Sequence, residues 1–170
     1  MSSGTGPEQG SPEQDGARER VLAAFGRFFE VDDWPAQPVP GQALLRVDYE
    51  GRTTRWPCYA RGVDPEGLAI FYSLDPVPVP AARRPAIAEL LTRINYHLPV
   101  GNLEMDHEDG EVRMRTSLVL GDAELTVDLL RALVGANVML MDRYLPAIIA
   151  VATGNAEPEA AFRAAASASV

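Results

Sequence analysis

The chain contains no lysine; all 15 of its basic side chains are arginine. That absence excludes Schiff-base and general-base lysine chemistry, and any phosphate-cradling loop ending in Gly-Lys. A single cysteine, Cys58, permits neither an internal disulfide nor a multi-thiolate zinc centre. Two histidines, His97 and His107, are too few for a three-histidine metal site. No stretch of 18 uncharged apolar residues occurs, so no membrane span is expected. Positive charge is in deficit as well: 24 Asp and Glu leave a net charge of -9. This balance argues against a nucleic-acid partner, which calls for concentrated basic charge, and against an anionic membrane surface. No cofactor is expected.

What is present suits one globular domain. Of the 170 residues, 46% are apolar, enough for a single core. Residues 1–16 hold Gly, Pro, Ser, Glu and Gln with no aliphatic side chain beyond Met1, and read as a disordered tail. They also lack the basic start and apolar core of a secretion signal, so a cytoplasmic address is expected. Residues 17–154 read as the folded unit, and 155–170 as an Ala/Ser-rich tail with a short helix around 157–165.

Within the folded unit, Val21, Leu22, Phe25, Phe28 and Phe29 recur at helical spacing and predict a helix over 17–30. Pro35, Pro38 and Pro40 then interrupt regular structure. Strands are predicted over 43–49, 53–59 and 68–74, punctuated by Glu50-Gly51 and Pro65-Glu66-Gly67. A helix over 82–96 buries Ile87, Leu90, Leu91 and Ile94, a hairpin spans 101–120, and a long helix runs over 127–152 with Thr126 as its N-cap. The order α-β-β-β-α-β-β-α gives an α+β fold: a five-stranded antiparallel sheet with its helices on one face.

Both hairpins can be read for register. If Asp109-Gly110 is a two-residue turn, Asp106 opposes Arg113 and Glu104 opposes Arg115, while Met105 and Leu103 face Met114 and Thr116. If Glu50-Gly51 is the first turn, Leu45 faces Trp56 and the open side sets Arg46 against Arg55. Either Asp48 and Glu50 neutralise that like-charge pair, or the open face carries a basic spot for an acidic segment or an anion.

Candidate chemistry is thin. The carboxylates Glu104, Asp106, Glu108, Asp109 and Glu111 resemble a metal or acid/base cluster, but opposing arginines and turn positions account for them structurally. His97 closes the second helix, and His107 lies near a hairpin tip. A small hydrolytic or metal-dependent enzyme would have to use one of them with nearby carboxylates. Cys58 reads as a small buried hydrophobe. In the last helix, Asn137 falls inside the apolar stripe and needs partners: it pins the helix to a loop or to the second helix, or it lines a peptide groove or dimer seam. Pro146, inside the same pattern, is expected to kink the helix or leave one carbonyl to water.

Three runs carry a resemblance. Asn95, Tyr96, Leu98, Pro99, Gly101 and Asn102 fit an Asn-Tyr-x-Leu-Pro-x-Gly-Asn motif; Arg115, Thr116 and Ser117 follow; Asp142, Arg143, Tyr144, Leu145 and Pro146 come last, with Asn137 ahead of them. In this order the chain resembles the YbjN domain family, described as bacterial sensory-transduction regulators. The resemblance implies a fold like that of type III secretion chaperones. It also implies a non-enzymatic regulatory or protein-binding role, linked in some relatives to stress responses, and it carries over no catalytic residue. The expected partner is a protein or peptide, with Arg46, Arg55 and Asn137 as candidate contacts; a homodimer is the other expectation.

Overall fold

The computed structural model describes residues 12–63, 67–121 and 123–167. Its elements are α1 (Pro12–Val31), β1 (Gln37–Pro38), β2 (Leu44–Glu50), β3 (Arg55–Val63), β4 (Leu68–Leu74), α2 (Arg84–Asn95), β5 (Asn102–Met105), β6 (Val112–Val119), α3 (Val127–Ala152) and α4 (Pro158–Ser167), with a 3₁₀ turn over Ala81–Arg83 before α2. The strands form one antiparallel sheet in the order β1-β2-β3-β4-β6-β5. The sequence predicts five strands. The sixth, β1, is two residues long and includes Pro38, so no periodicity marks it. The proposed tail over 1–16 lies outside the described residues up to 11, and 12–16 belong to α1.

Alternation along the strands sorts side chains by face. Val47, Trp56, Cys58, Ala60, Ala69, Phe71, Ser73, Leu103, Val112, Met114 and Thr116 are buried beneath the helices. Phe25, Phe28 and Phe29 of α1 meet Phe71, and Trp34 and Tyr49 extend the aromatic contacts to Trp56, with ring centroids 5.1–6.4 Å apart. Such pairs add about 1 kcal/mol each to their area burial. The long α3 is apolar enough to cross a membrane by length and composition alone, but here it is the core helix, with Leu130, Val134, Met141, Leu145, Ile148 and Val151 buried. Thr126 caps it, its hydroxyl accepting from the Leu129 N–H at 3.3 Å. Arg131 grips both Asp32 oxygens at 2.7 and 3.0 Å, tying the end of α1 to the start of α3; its guanidinium holds the Asp32 carboxyl below the usual range.

Both hairpins keep the predicted faces but not the predicted registers. Glu104, not Asp106, opposes Arg113, and Leu103 faces Met114. The loop is longer than two residues because aspartates stabilise it: the Asp106 and Asp109 carboxylates accept from the Glu108 and Glu111 N–H groups at 2.8 Å. In the first hairpin, Tyr49 rather than Leu45 faces Trp56, and the Gly51 N–H donates to the Thr54 carbonyl at 3.0 Å. Each shift is an even number of residues, so every side chain stays on its expected face.

Asp75 begins the loop after β4. Its carboxylate accepts from the Val77 N–H at 2.9 Å, and burial pushes its pKa up to about 6. A pKa raised above the unfolded value of about 3.9 means the folded state binds the proton more tightly. Stability therefore falls as pH rises from about 4 to about 6, and is level above that window. Asp75→Asn keeps the acceptor and removes the charge. Urea unfolding is expected to show that it abolishes this fall and gains about 1–2 kcal/mol at pH 7.

Candidate interaction face

The motif residues mostly build corners. At the end of α2 the Asn95 amide donates to the Leu103 carbonyl, and its oxygen accepts from the Leu103 N–H, both at 2.8 Å. One side chain thus stands in for a neighbouring strand and closes the free edge of β5. Gly101 turns the chain into β5 at φ +71°; a β-carbon there would sit 2.8 Å from the Arg115 carbonyl oxygen. Leu98 packs on the core, whereas Tyr96 and Pro99 are exposed. In α3, Asp142 accepts from the Arg52 N–H at 2.8 Å and from its Nε at 2.6 Å, gripping the β2–β3 turn. Arg143 donates to the Ala165 and Ala166 carbonyls at the end of α4, and Tyr144 and Leu145 are buried. Residues 158–167, read from sequence as part of a tail, pack as α4 against α2 and α3.

Asn137 is not a partner contact. It is fully buried, and its amide donates to the Phe71 and Met114 carbonyls at 3.0 and 3.2 Å and to Thr116 Oγ1 at 3.2 Å. It fastens α3 to β4 and β6, and Thr116 passes the link on to the Leu133 carbonyl at 3.1 Å. A flipped amide would point its oxygen at two carbonyls, so this bonding fixes its orientation.

The candidate reactive groups are scattered. His97 is exposed and stacks on Phe162, centroids 5.3 Å apart. His107 is exposed at a hairpin tip, where its backbone carbonyl accepts from Arg84 at 2.8 Å. Among the described residues neither imidazole bonds to a carboxylate or hydroxyl, and no His/Cys/Asp/Glu group is arranged to hold a metal. Cys58 lies 3.3 Å from Ser73 Oγ, and burial pushes its thiol up to about 12, which suppresses the reactive thiolate.

The broad surface left open is the other face of the sheet, and its cross-strand rows form a gradient. At the β2–β3 turn end, Glu50 opposes Arg55, Asp48 opposes Pro57, and Leu74 leads to Arg113 and Glu104. The central row runs Arg46, Tyr59, Tyr72, Arg115, Asn102. The next is Leu44, Arg61, Ile70, Ser117, and the last is Val63, Leu68, Val119. Arg113 lies over the Tyr72 ring at 4.6 Å and bonds Glu104 at 2.6 Å. Partial burial lowers its pKa, but Glu104 outweighs that and leaves it raised. Arg115 bonds Asn102 at 3.4 Å and pairs with Glu104 at 3.6 Å.

Arg46 and Arg55 are not opposed. Arg46 faces Tyr59 and pairs with Asp48 at 3.0 Å; Arg55 faces Glu50 and pairs with it at 3.4 Å. The like-charge contact therefore does not form. Arg61 sits between Leu44 and Ile70 with no carboxylate opposite it. Sequence reasoning missed Arg61, Tyr59 and Tyr72 as a group, because the strand predicted over 53–59 stops short of Arg61, whereas β3 runs on to Val63.

The sequence profile of the YbjN family, described as "Putative bacterial sensory transduction regulator", matches residues 55–150, more than half the chain. The chain belongs to the YbjN family. The crystal structure of E. coli YbjN, described as "a putative transcription regulator", shares the fold at a TM-score of 0.52 and 13% identity, over 71% of this chain and 85% of that one. No curated protein matches the chain. The YbjN match takes in all three motif runs and strands β3, β4, β5 and β6, and leaves α1, β1, β2 and α4 outside it.

Proposed function

We propose that this YbjN-family chain is a regulatory module without catalysis, which holds an acidic, extended protein segment across its open sheet face. The observation that carries the reading is the charge placement on that face. The chain has 24 acidic residues to 15 arginines, yet on the strands of this face Arg46, Arg55, Arg61, Arg113 and Arg115 stand against Asp48, Glu50 and Glu104, with Asp106 and Glu111 just beyond the strand ends. Paired guanidiniums rim the face, Arg61 has no carboxylate opposite it, and Tyr59 and Tyr72 offer rigid rings that bind at low entropic cost. Edge pairing is disfavoured, since Pro38 lies on one edge strand and Asn95 closes the other. The descriptions of the YbjN family and of its E. coli member as regulators support the same reading.

The test is a photo-crosslinking side chain at Tyr59 in cells, with the same group at exposed Ala160 of α4 as the control. Discrete adducts with acidic protein segments are expected at position 59 and not at 160. Arg61→Glu is expected to cut their yield about tenfold or more, as loss of a charge-complementary contact does. Adducts indifferent to Arg61→Glu, or none above the control, would overturn the reading.

A further inference from the structure

On the side away from the open sheet face, α3 carries a second seam. Leu129, Ala132, Ala136, Met139, Arg143, Pro146 and Ala150 alternate at three- and four-residue spacing, the heptad pattern of helices that pack along their length. Over the C-terminal half, α4 closes on this seam: Pro146 and Ala150 line a groove of about 500 Å³ with Ala161 and Ala165, and Arg143 bonds the end of α4. Over the N-terminal half, nothing among the described residues covers it. Leu129 is 46% and Met139 58% exposed, and no charge interrupts α3 between Arg131 and Asp142.

We propose that a second copy of this chain covers the open half-seam, with the two α3 helices antiparallel about a two-fold axis passing between Gly135 and Ala136. Size and charge select this register. Met139 of one copy meets Ala132 of the other and Gly135 meets Ala136, so at the centre of the seam a large side chain finds a small one and the axes approach closely, while Leu129 meets Asp142 at its ends. The same register brings Asp128 opposite Arg143 of the other copy. The Asp128 side chain is 92% exposed, and among the described residues its ion pair is with Arg131 of its own helix. Every contact occurs twice, as an isologous interface requires. A bilayer fits the seam less well: interfacial helices flank their apolar face with lysine and arginine, whereas this chain has no lysine and a net charge of -9. Pairing through the helical layer leaves both sheet faces outward, so the inference does not rest on the proposed function.

Sedimentation equilibrium of the full chain from about 1 to 100 μM spans weak and moderate self-association. The mass is expected to rise towards twice the 18.4 kDa of one chain. Met139→Glu is expected to hold it at the single-chain value, with an unchanged circular dichroism spectrum. Leu129→Glu, at the exposed end of the seam, repeats the test should Met139→Glu fail to fold. The double variant Ala132→Cys/Met139→Cys is expected to form a covalent dimer on oxidation, whereas neither single variant does; buried Cys58 adds no background. A single-chain mass for the wild type at the highest concentration overturns the proposal, whether or not the protein then floats with phosphatidylcholine vesicles. So does a dimer that survives Met139→Glu.

Discussion

Asn137→Asp is expected to cost at least about 3 kcal/mol at pH 7, because it aims a buried carboxylate at the Phe71 and Met114 carbonyls in place of an amide donor. A carboxyl in that site has its pKa raised, so its protonated form, which regains one donor, is favoured in the folded state. Relative to wild type, the variant should therefore recover stability as pH falls, with the loss fully developed above the raised pKa. Asn137→Leu separates charge from lost bonding. It removes the amide donors that these carbonyls receive beyond their ladder bonds but adds no charge, and is expected to cost about 1 kcal/mol with no pH dependence of its own. Urea unfolding at pH 7 and pH 4.5 checks both. Equal stability of Asn137→Asp and wild type at pH 7 would show that this amide does not tie α3 to the sheet.

Gly51→Ala is the other substitution with a large expected effect, although the residue lies at an exposed hairpin. A β-carbon at this position would lie within the van der Waals envelope of the Trp56 ring and 2.5 Å from Asp142 Oδ1. Trp56 is buried, and the same Asp142 oxygen receives the Arg52 N–H, so neither can yield freely. The expected loss is about 2–3 kcal/mol, or roughly 5–10 °C in melting temperature for a chain of this size. Removing the outer ring atoms with Trp56→Phe should make the pair less harmful than the sum of the single changes. Additive losses would mean that the two residues do not compete for the same space.

The two sites mark different limits of reading the sequence. Asn137 was conspicuous there, an amide inside an apolar stripe, and the pattern suggested a loop, the second helix or a partner seam; its partners are on the sheet instead. The neighbouring strands settle the matter, because Phe71 and Met114 lie far from it in sequence and only sheet assembly brings their carbonyls to it. Gly51 was read as a turn glycine. Its need for a missing β-carbon comes from the Trp56 ring folded back over it and from Asp142 of α3, ninety-one positions away. Arg46 and Arg55 show a third limit. The face each occupies follows from two-residue periodicity, but their opposition depended on a turn that Asp142 relocates by holding Arg52.

By itself the sequence determined the α+β class, the order of the three main helices and five longer strands, the core stripes of α1, α2 and α3, and the side of the sheet each strand residue faces. These follow from local propensity and from periods of 3.6 and 2, which need no knowledge of distant residues. It also carried the YbjN motifs. The tertiary structure alone decided both hairpin registers, the short edge strand β1, the docking of α4, and the row that places Arg61 beside Tyr59 and Tyr72. Registers an even number of residues apart bury the same side chains, so the hydrophobic pattern cannot choose among them. That choice falls to contacts such as Asp142 with Arg52 and Asn95 with Leu103, which exist only once the chain has folded.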